Sequence, residues 1–102
     1  MIRISIAEGA LSDLKEGLSF YDTQETGIGD YFLSCLRGDI ERPRLTAGIH
    51  RVVYKDYHRL LSRVFPYAIY YTFAEKIATV WALVDCRRDP EWIRKSLSGE
   101  PS

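Results

Sequence analysis

The 102-residue chain has no long apolar run. Its longest hydrophobic stretches are shorter than ten residues, too short to cross a bilayer as a helix. No basic segment followed by an apolar one precedes MIRISIAEG, so no signal peptide is expected. Cysteine is scarce: Cys35 and Cys86 are far apart and fit no CxxC or Cys/His spacing. They are expected to be reduced core thiols, which argues against a disulfide framework and a metal site. Net charge is absent too, whereas a protein built to grip RNA usually has a clearly positive total. What remains is one cytoplasmic globular domain with a single core and no expected cofactor.

The zero total hides a division. Residues 1–41 hold three basic and eight acidic residues, a net −5, and residues 42–102 hold eleven basic and six acidic, a net +5. Halves of opposite sign predict one face suited to an anionic partner.

Periodicity supplies the elements. Ile2, Ile4 and Ile6 alternate with Arg3 and Ser5, as in a strand with one apolar face. From Glu8 the spacing changes: Ala7, Leu11, Leu14, Leu18 and Tyr21 fall three or four apart, predicting an amphipathic helix to about Gln24. Glu25 to Gly29 is a glycine turn, after which Ile28, Phe32, Leu36 and Ile40 keep helical spacing until Pro43. Two helices joined so tightly must lie back to back. Residues 45–56 read as irregular chain with an extended piece at Val52–Tyr54. A strand is expected from Tyr57 into Arg63-Val64 and another over Tyr67–Phe73. A hairpin loop at Ala74-Glu75-Lys76 leads to a last strand, Ile77–Asp85, apolar on both faces and so expected in mid-sheet. Asp89-Pro90 fits a helix start, with Trp92, Ile93 and Leu97 on its apolar side. The prediction is α+β: an N-terminal strand, an αα-hairpin, a three-stranded antiparallel meander and a short C-terminal helix. One domain spans residues 1–97, and 98–102 form a flexible tail.

The string Arg63-Val64-Phe65-Pro66-Tyr67-Ala68-Ile69-Tyr70-Tyr71 resembles the RRFPYxIYY segment of the ParE/RelE toxin superfamily. Cys86-Arg87-Arg88-Asp89-Pro90-Glu91-Trp92 resembles its terminal HxRRDPxxW segment, and Gly29 with Phe32 resembles its LGxxF pattern. The resemblance covers about residues 1–97. It implies the toxin of a type II toxin–antitoxin pair, encoded on a plasmid (a plasmid stabilisation module) or a bacterial chromosome and silenced by a ParD-like antitoxin. It also implies a twisted, largely antiparallel sheet carrying the helical hairpin.

That superfamily divides by mechanism: RelE-like members cut mRNA on the ribosome, and ParE-like members poison DNA gyrase. RNA cleavage by the 2′-hydroxyl needs a base, a cation over the phosphate and an acid for the leaving oxygen. Carried over from the resemblance, the nuclease set is mostly missing. Ala68 stands where a strand arginine belongs, and the two strand lysines fall on Arg59 and Leu61. Arg87 or Arg88 matches a later arginine, no tyrosine follows Tyr71, and Trp92 has no suitable proton to offer. His50 or His58 could in principle replace the missing acid or base, since imidazole titrates near neutrality. Of the two, His58 beside Arg59 is the better catalytic candidate, although a plain surface histidine is the simpler reading.

Arg63, Arg87 and Arg88 are candidates for gripping a target or an anion; alternatively they pair with Asp85, Asp89 or Glu91 and pin the final helix. Leu18, Tyr21, Tyr31, Tyr70 and Trp92 are candidates for antitoxin contact. Tyr70 is expected to be the most exposed of the strand tyrosines, and Trp81 to be core. The expectation is a ParE-like toxin that acts by binding, without an enzymatic step. The alternatives are a ribosome-dependent RNase with a rebuilt site, or an inactive relic that still binds antitoxin.

Overall fold

The computed structural model describes residues 2–46 and 52–87 together with Glu91, Ile93, Lys95 and Leu97. Strand β1 (Arg3–Ile6) leads into helices α1 (Glu8–Gln24) and α2 (Ile28–Glu41) and a single turn, α3 (Pro43–Thr46). Strands β2 (Val52–Tyr54), β3 (Tyr57–Leu61), β4 (Tyr67–Ala74) and β5 (Ile77–Asp85) follow. The α+β class and the helical hairpin agree with the sequence reading. The sheet is larger than the three-stranded meander expected. It has five strands in the order β1-β5-β4-β3-β2. β1 joins it parallel to β5, and the other pairs are antiparallel. Alternation in β1 reveals a strand but not its partner, and the short β2 gains its order only from pairing with β3.

Two segments differ locally. The stretch after Pro43 starts with a helical turn instead of irregular chain, because proline suits the first turn of a helix. β3 stops at Leu61, short of Arg63-Val64. There the chain turns away and is held by Asp39 of α2, a carboxylate that is 5% exposed. Asp39 accepts hydrogen bonds from the Ser62 hydroxyl at 2.6 Å and the Arg63 amide at 3.4 Å, and it pairs with Arg42 at 3.1 Å.

The sheet has a core on each face. Ile69 and Tyr71 of β4 face the hairpin with Leu60, Ala78, Val80 and Leu83, beneath Ala10, Leu14, Phe32, Leu36 and Ile40. Ala68 and Tyr70 face the other way and pack with Val84 and Leu97, and with Ile93 beside them. Glu91, Ile93, Lys95 and Leu97 are helical, and the Tyr57 hydroxyl donates to the Leu97 carbonyl at 3.0 Å. The expected helix start at Asp89-Pro90 and the tail at 98–102 lie outside the described residues.

Side-chain alternation in β5 changes phase at a bulge. Tyr70 pairs with Ala82 but Tyr71 pairs with Val80, leaving Trp81 as the extra residue. Trp81 is therefore turned out of the helix-side core. It is 44% exposed, and its indole N–H donates to the Thr72 hydroxyl at 2.9 Å. The expectation of a core tryptophan is corrected, and so is the exposure expected of Tyr70, which is 4% exposed beneath Leu97. The cysteines are corrected as well: both are free, but Cys35 is only half-buried and Cys86 is exposed.

The two helices meet at Gly17 and Phe32. A Cβ on residue 17 would lie 2.4 Å from Cζ of the Phe32 ring, so only glycine lets the outer end of the ring come this close to α1. The intervening turn uses a left-handed residue, Gly27 at φ 97°. The Asp22 carboxylate accepts its N–H at 3.0 Å and that of Gly29 at 3.3 Å. Gly17→Ala is expected to lower stability by about 1–3 kcal/mol, the usual cost of overpacking. A urea melt reads this directly, and an unchanged midpoint would mean that Phe32 can shift freely.

Candidate functional site

Helix α1 buries Ala10, Leu14 and Gly17 against the sheet and α2. Residues on its two flanks form two recesses. On one flank Leu11, Leu14, Lys15 and Leu18 face Leu33, Arg37, Ile40 and Glu41 of α2, and Ile6 closes one end. This groove has a volume of about 470 Å³ and mostly apolar walls. Leu11 remains 44% exposed in it. The three leucines belong to the apolar spacing that predicts helix α1, and part of that stripe is left uncovered. That part lines the groove. Lys15 and Arg37 give its rim a positive character, and Glu41 is bound to Arg44 at 2.9 Å.

On the other flank Asp13, Glu16, Gly17 and Phe20 face Tyr67, Leu83, Val84 and Asp85 across a recess of about 230 Å³. The Asp13 carboxylate accepts the Leu83 amide at 3.0 Å. Burial raises the Asp13 pKa above its ordinary 3.8; the Leu83 hydrogen bond opposes the shift and the Glu16 charge adds to it. Tyr67 is pushed up to about 12, first by burial and then by the nearby Tyr21, Asp85 and Asp13. A phenol so displaced stays protonated at neutral pH and is a poor general base.

The catalytic candidates do not converge. His58 and Arg59 are consecutive in β3 and so point to opposite faces of the sheet. His58 lies against Tyr71, with ring centroids 5.1 Å apart and planes 20° apart. Arg59 is across from Tyr70 on the other face. His50 lies outside the described residues. Ala68, in the position of the nuclease arginine, is 2% exposed and packed with Tyr70, Val84 and Leu97. Among the described residues no cluster of His, Cys, Asp and Glu is able to hold a metal ion.

The arginine candidates are engaged by different carboxylates. Arg63 approaches Asp39 at 3.7 Å. Arg87 makes a two-pronged contact with Asp85, its Nε at 2.9 Å and Nη2 at 2.6 Å. That bond raises the guanidinium pKa further above its ordinary value. Arg88 lies outside the described residues. Among the antitoxin candidates, Leu18 lines the groove. Tyr21 instead joins an aromatic cluster with Phe32 and Phe65, at 5.0 and 4.8 Å. Tyr31 is 53% exposed beside Phe65, Tyr70 is buried, and Trp92 lies outside the described residues. The groove residues Leu11, Lys15, Leu33 and Arg37 were missing from the sequence-based candidates, although their helical spacing on both walls was visible.

No protein-family model matches the chain, and no curated protein does. Among solved structures, a chain of the chromosomal ParDE TA system from P. aeruginosa superposes with a TM-score of 0.77 at 12% identity. The match covers 83% of this chain and 96% of that one. The fold is ParE-like. In this ParE-like fold, no helix among the described residues is long and apolar enough to cross a membrane.

The Asp13 environment sets a pH dependence. A carboxyl whose pKa is raised by folding contributes stability that is fully present below its unfolded value and lost as pH rises through the folded one. Asn at this position keeps an oxygen for the Leu83 amide and carries no charge. Asp13→Asn is therefore expected to melt higher than the wild type at pH 7, with the gap narrowing as pH falls toward 3.8. Thermal melts across that range check it, and a variant that melts lower at pH 7 would contradict it.

Proposed function

We propose that this chain is the toxin of a type II toxin–antitoxin pair, silenced by a ParD-type antitoxin and acting on its target by binding. The observation that carries the reading is the apolar groove between α1 and α2, with its Lys15 and Arg37 rim, on a ParE-like fold. An antitoxin segment that folds on contact would lay an amphipathic helix along Leu11, Leu14, Leu18, Leu33 and Ile40, with acidic residues toward the two cations. The half-buried Leu18 belongs to that contact.

DNA gyrase is the proposed target, in keeping with the sequence resemblance to the ParE-like branch. The closed packing around Ala68 and the divergence of His58 and Arg59 support binding over mRNA cleavage. Arg63, Arg87 and Arg88 are the arginines proposed to reach the target.

Co-expression with the product of an adjacent short reading frame should yield a complex of nanomolar affinity, which needs about −12 kcal/mol of net binding free energy. A charge at Leu11 together with one at Leu33 (Leu11→Glu with Leu33→Glu) should weaken it by about a hundredfold or more in a calorimetric titration. Unchanged affinity, in a variant that melts cooperatively, would place the antitoxin elsewhere. Expression of the toxin alone should relax plasmid supercoiling and leave mRNA intact; codon-dependent cuts in primer extension with purified ribosomes would instead assign the RelE-like nuclease activity.

A further inference from the structure

The hairpin end carries an aromatic ridge that the antitoxin groove does not use. Phe20 and Tyr31 are 50% and 53% exposed, and both rest on rings behind them. Phe20 meets Tyr21 edge-on at 5.1 Å, Tyr21 meets Phe65 at 4.8 Å, and Phe65 meets Tyr31 at 5.7 Å. Rings held by other rings lose little freedom when a partner covers them, the property that makes aromatic residues effective anchors in interfaces. Val64, 54% exposed, extends the apolar surface past Phe65.

The charge beside this ridge selects the partner. Phe20 forms one wall of the recess that contains Asp13, Glu16 and Asp85, and Tyr67 forms another. Asp85 is bound to Arg87. Among the described residues no cation lies within ion-pair distance of Asp13 or Glu16. The two stand one turn apart on α1, where like charges repel, and Asp13 is half-buried. Such an arrangement is unfavourable in the isolated chain, and a cation entering between the carboxylates would relieve it. The space is ample for a guanidinium or ammonium group, and the walls supply aromatic faces that attract one.

We propose that the Phe20–Tyr21–Phe65–Tyr31 ridge is a second protein-docking surface, for a basic segment that places an arginine or lysine in the recess between Asp13, Glu16 and Phe20. Helical geometry keeps this surface separate from the groove. At 100° per residue, Leu11, Leu14, Lys15 and Leu18 point to one flank of α1, and Asp13, Glu16 and Phe20 point to the other. The chain can therefore hold two partners of opposite charge on the two sides of one helix: an acidic one over Lys15 and Arg37, and a basic one over Asp13 and Glu16. The inference does not depend on the toxin reading, since it uses only the ridge and the recess.

The test is a nitrogen–proton NMR titration of the full chain with acetyl-Leu-Arg-Leu-amide and with the same peptide carrying citrulline, the uncharged analogue of arginine. The arginine peptide is expected to shift the amides of residues 13–20 and 83–87 in a saturable way. Citrulline should weaken it by about tenfold or more, a loss of roughly 1.4 kcal/mol. Asp13→Asn combined with Glu16→Gln should cause a similar loss, and so should Phe20→Ser, which alters a half-exposed ring. The melting temperature of each variant confirms that the fold persists. Equal response to citrulline, shifts that never saturate, shifts confined to residues 33–41 of the groove, or full affinity in folded variants would each overturn the proposal.

Discussion

The ring of Phe32 occupies the place that a side chain at residue 17 would need, and most of the molecule is arranged around that contact. Because Gly17 offers no Cβ, α2 can approach α1 closely, and Phe32 reaches through to Tyr67 of the sheet at 5.1 Å. Tyr21 stacks on the same ring at 5.0 Å and Phe65 meets it edge-on at 5.1 Å. One contact thus joins the hairpin, the chain before β4 and the start of β4 itself. On the two flanks of α1 beside it lie the two recesses, the apolar groove along Leu11, Leu14 and Leu18 and the smaller recess along Asp13, Glu16 and Phe20.

Strand β4 imposes the second constraint. Its residues are buried in both directions, Ile69 and Tyr71 under the hairpin, Ala68 and Tyr70 against Val84 and Leu97. A face closed by packed apolar side chains cannot expose a phosphate to cations, since a buried charge there would lack water and partners. The small Ala68 side chain fits that closure, and an arginine in its place would have to displace Leu97 or Tyr70. Alanine at position 68 and burial of this face are consistent parts of one packing arrangement.

Charge follows the same division. The acidic N-terminal half is not uniformly negative in space, because Lys15 and Arg37 face the groove while Asp13 and Glu16 face the recess. A net charge of −5 for that half therefore describes neither surface. What matters to a partner is which side of α1 each residue points to, and residues 13 and 15 point to different sides.

By itself the sequence determined the local elements and the helical hairpin. Apolar spacing of three to four marks a helix and alternation marks a strand, and these signals are confined to the residues that form them. It also carried the resemblance to the toxin superfamily, through strings such as Phe65-Pro66-Tyr67 that are read without knowledge of contacts. Only the tertiary structure decided the rest. The one-residue bulge at Trp81 reversed which side of β5 faces the core, and a change of phase there leaves no mark in a strand apolar on both faces. Tyr70 was buried by a segment more than twenty residues further along the chain. His58 and Arg59, adjacent in sequence, were sent to opposite faces by the pleat. Leu11 was left exposed and Asp13 drawn to the Leu83 amide because what packs against each flank of α1, residues far along the chain in α2 and β5, is a property of the whole fold.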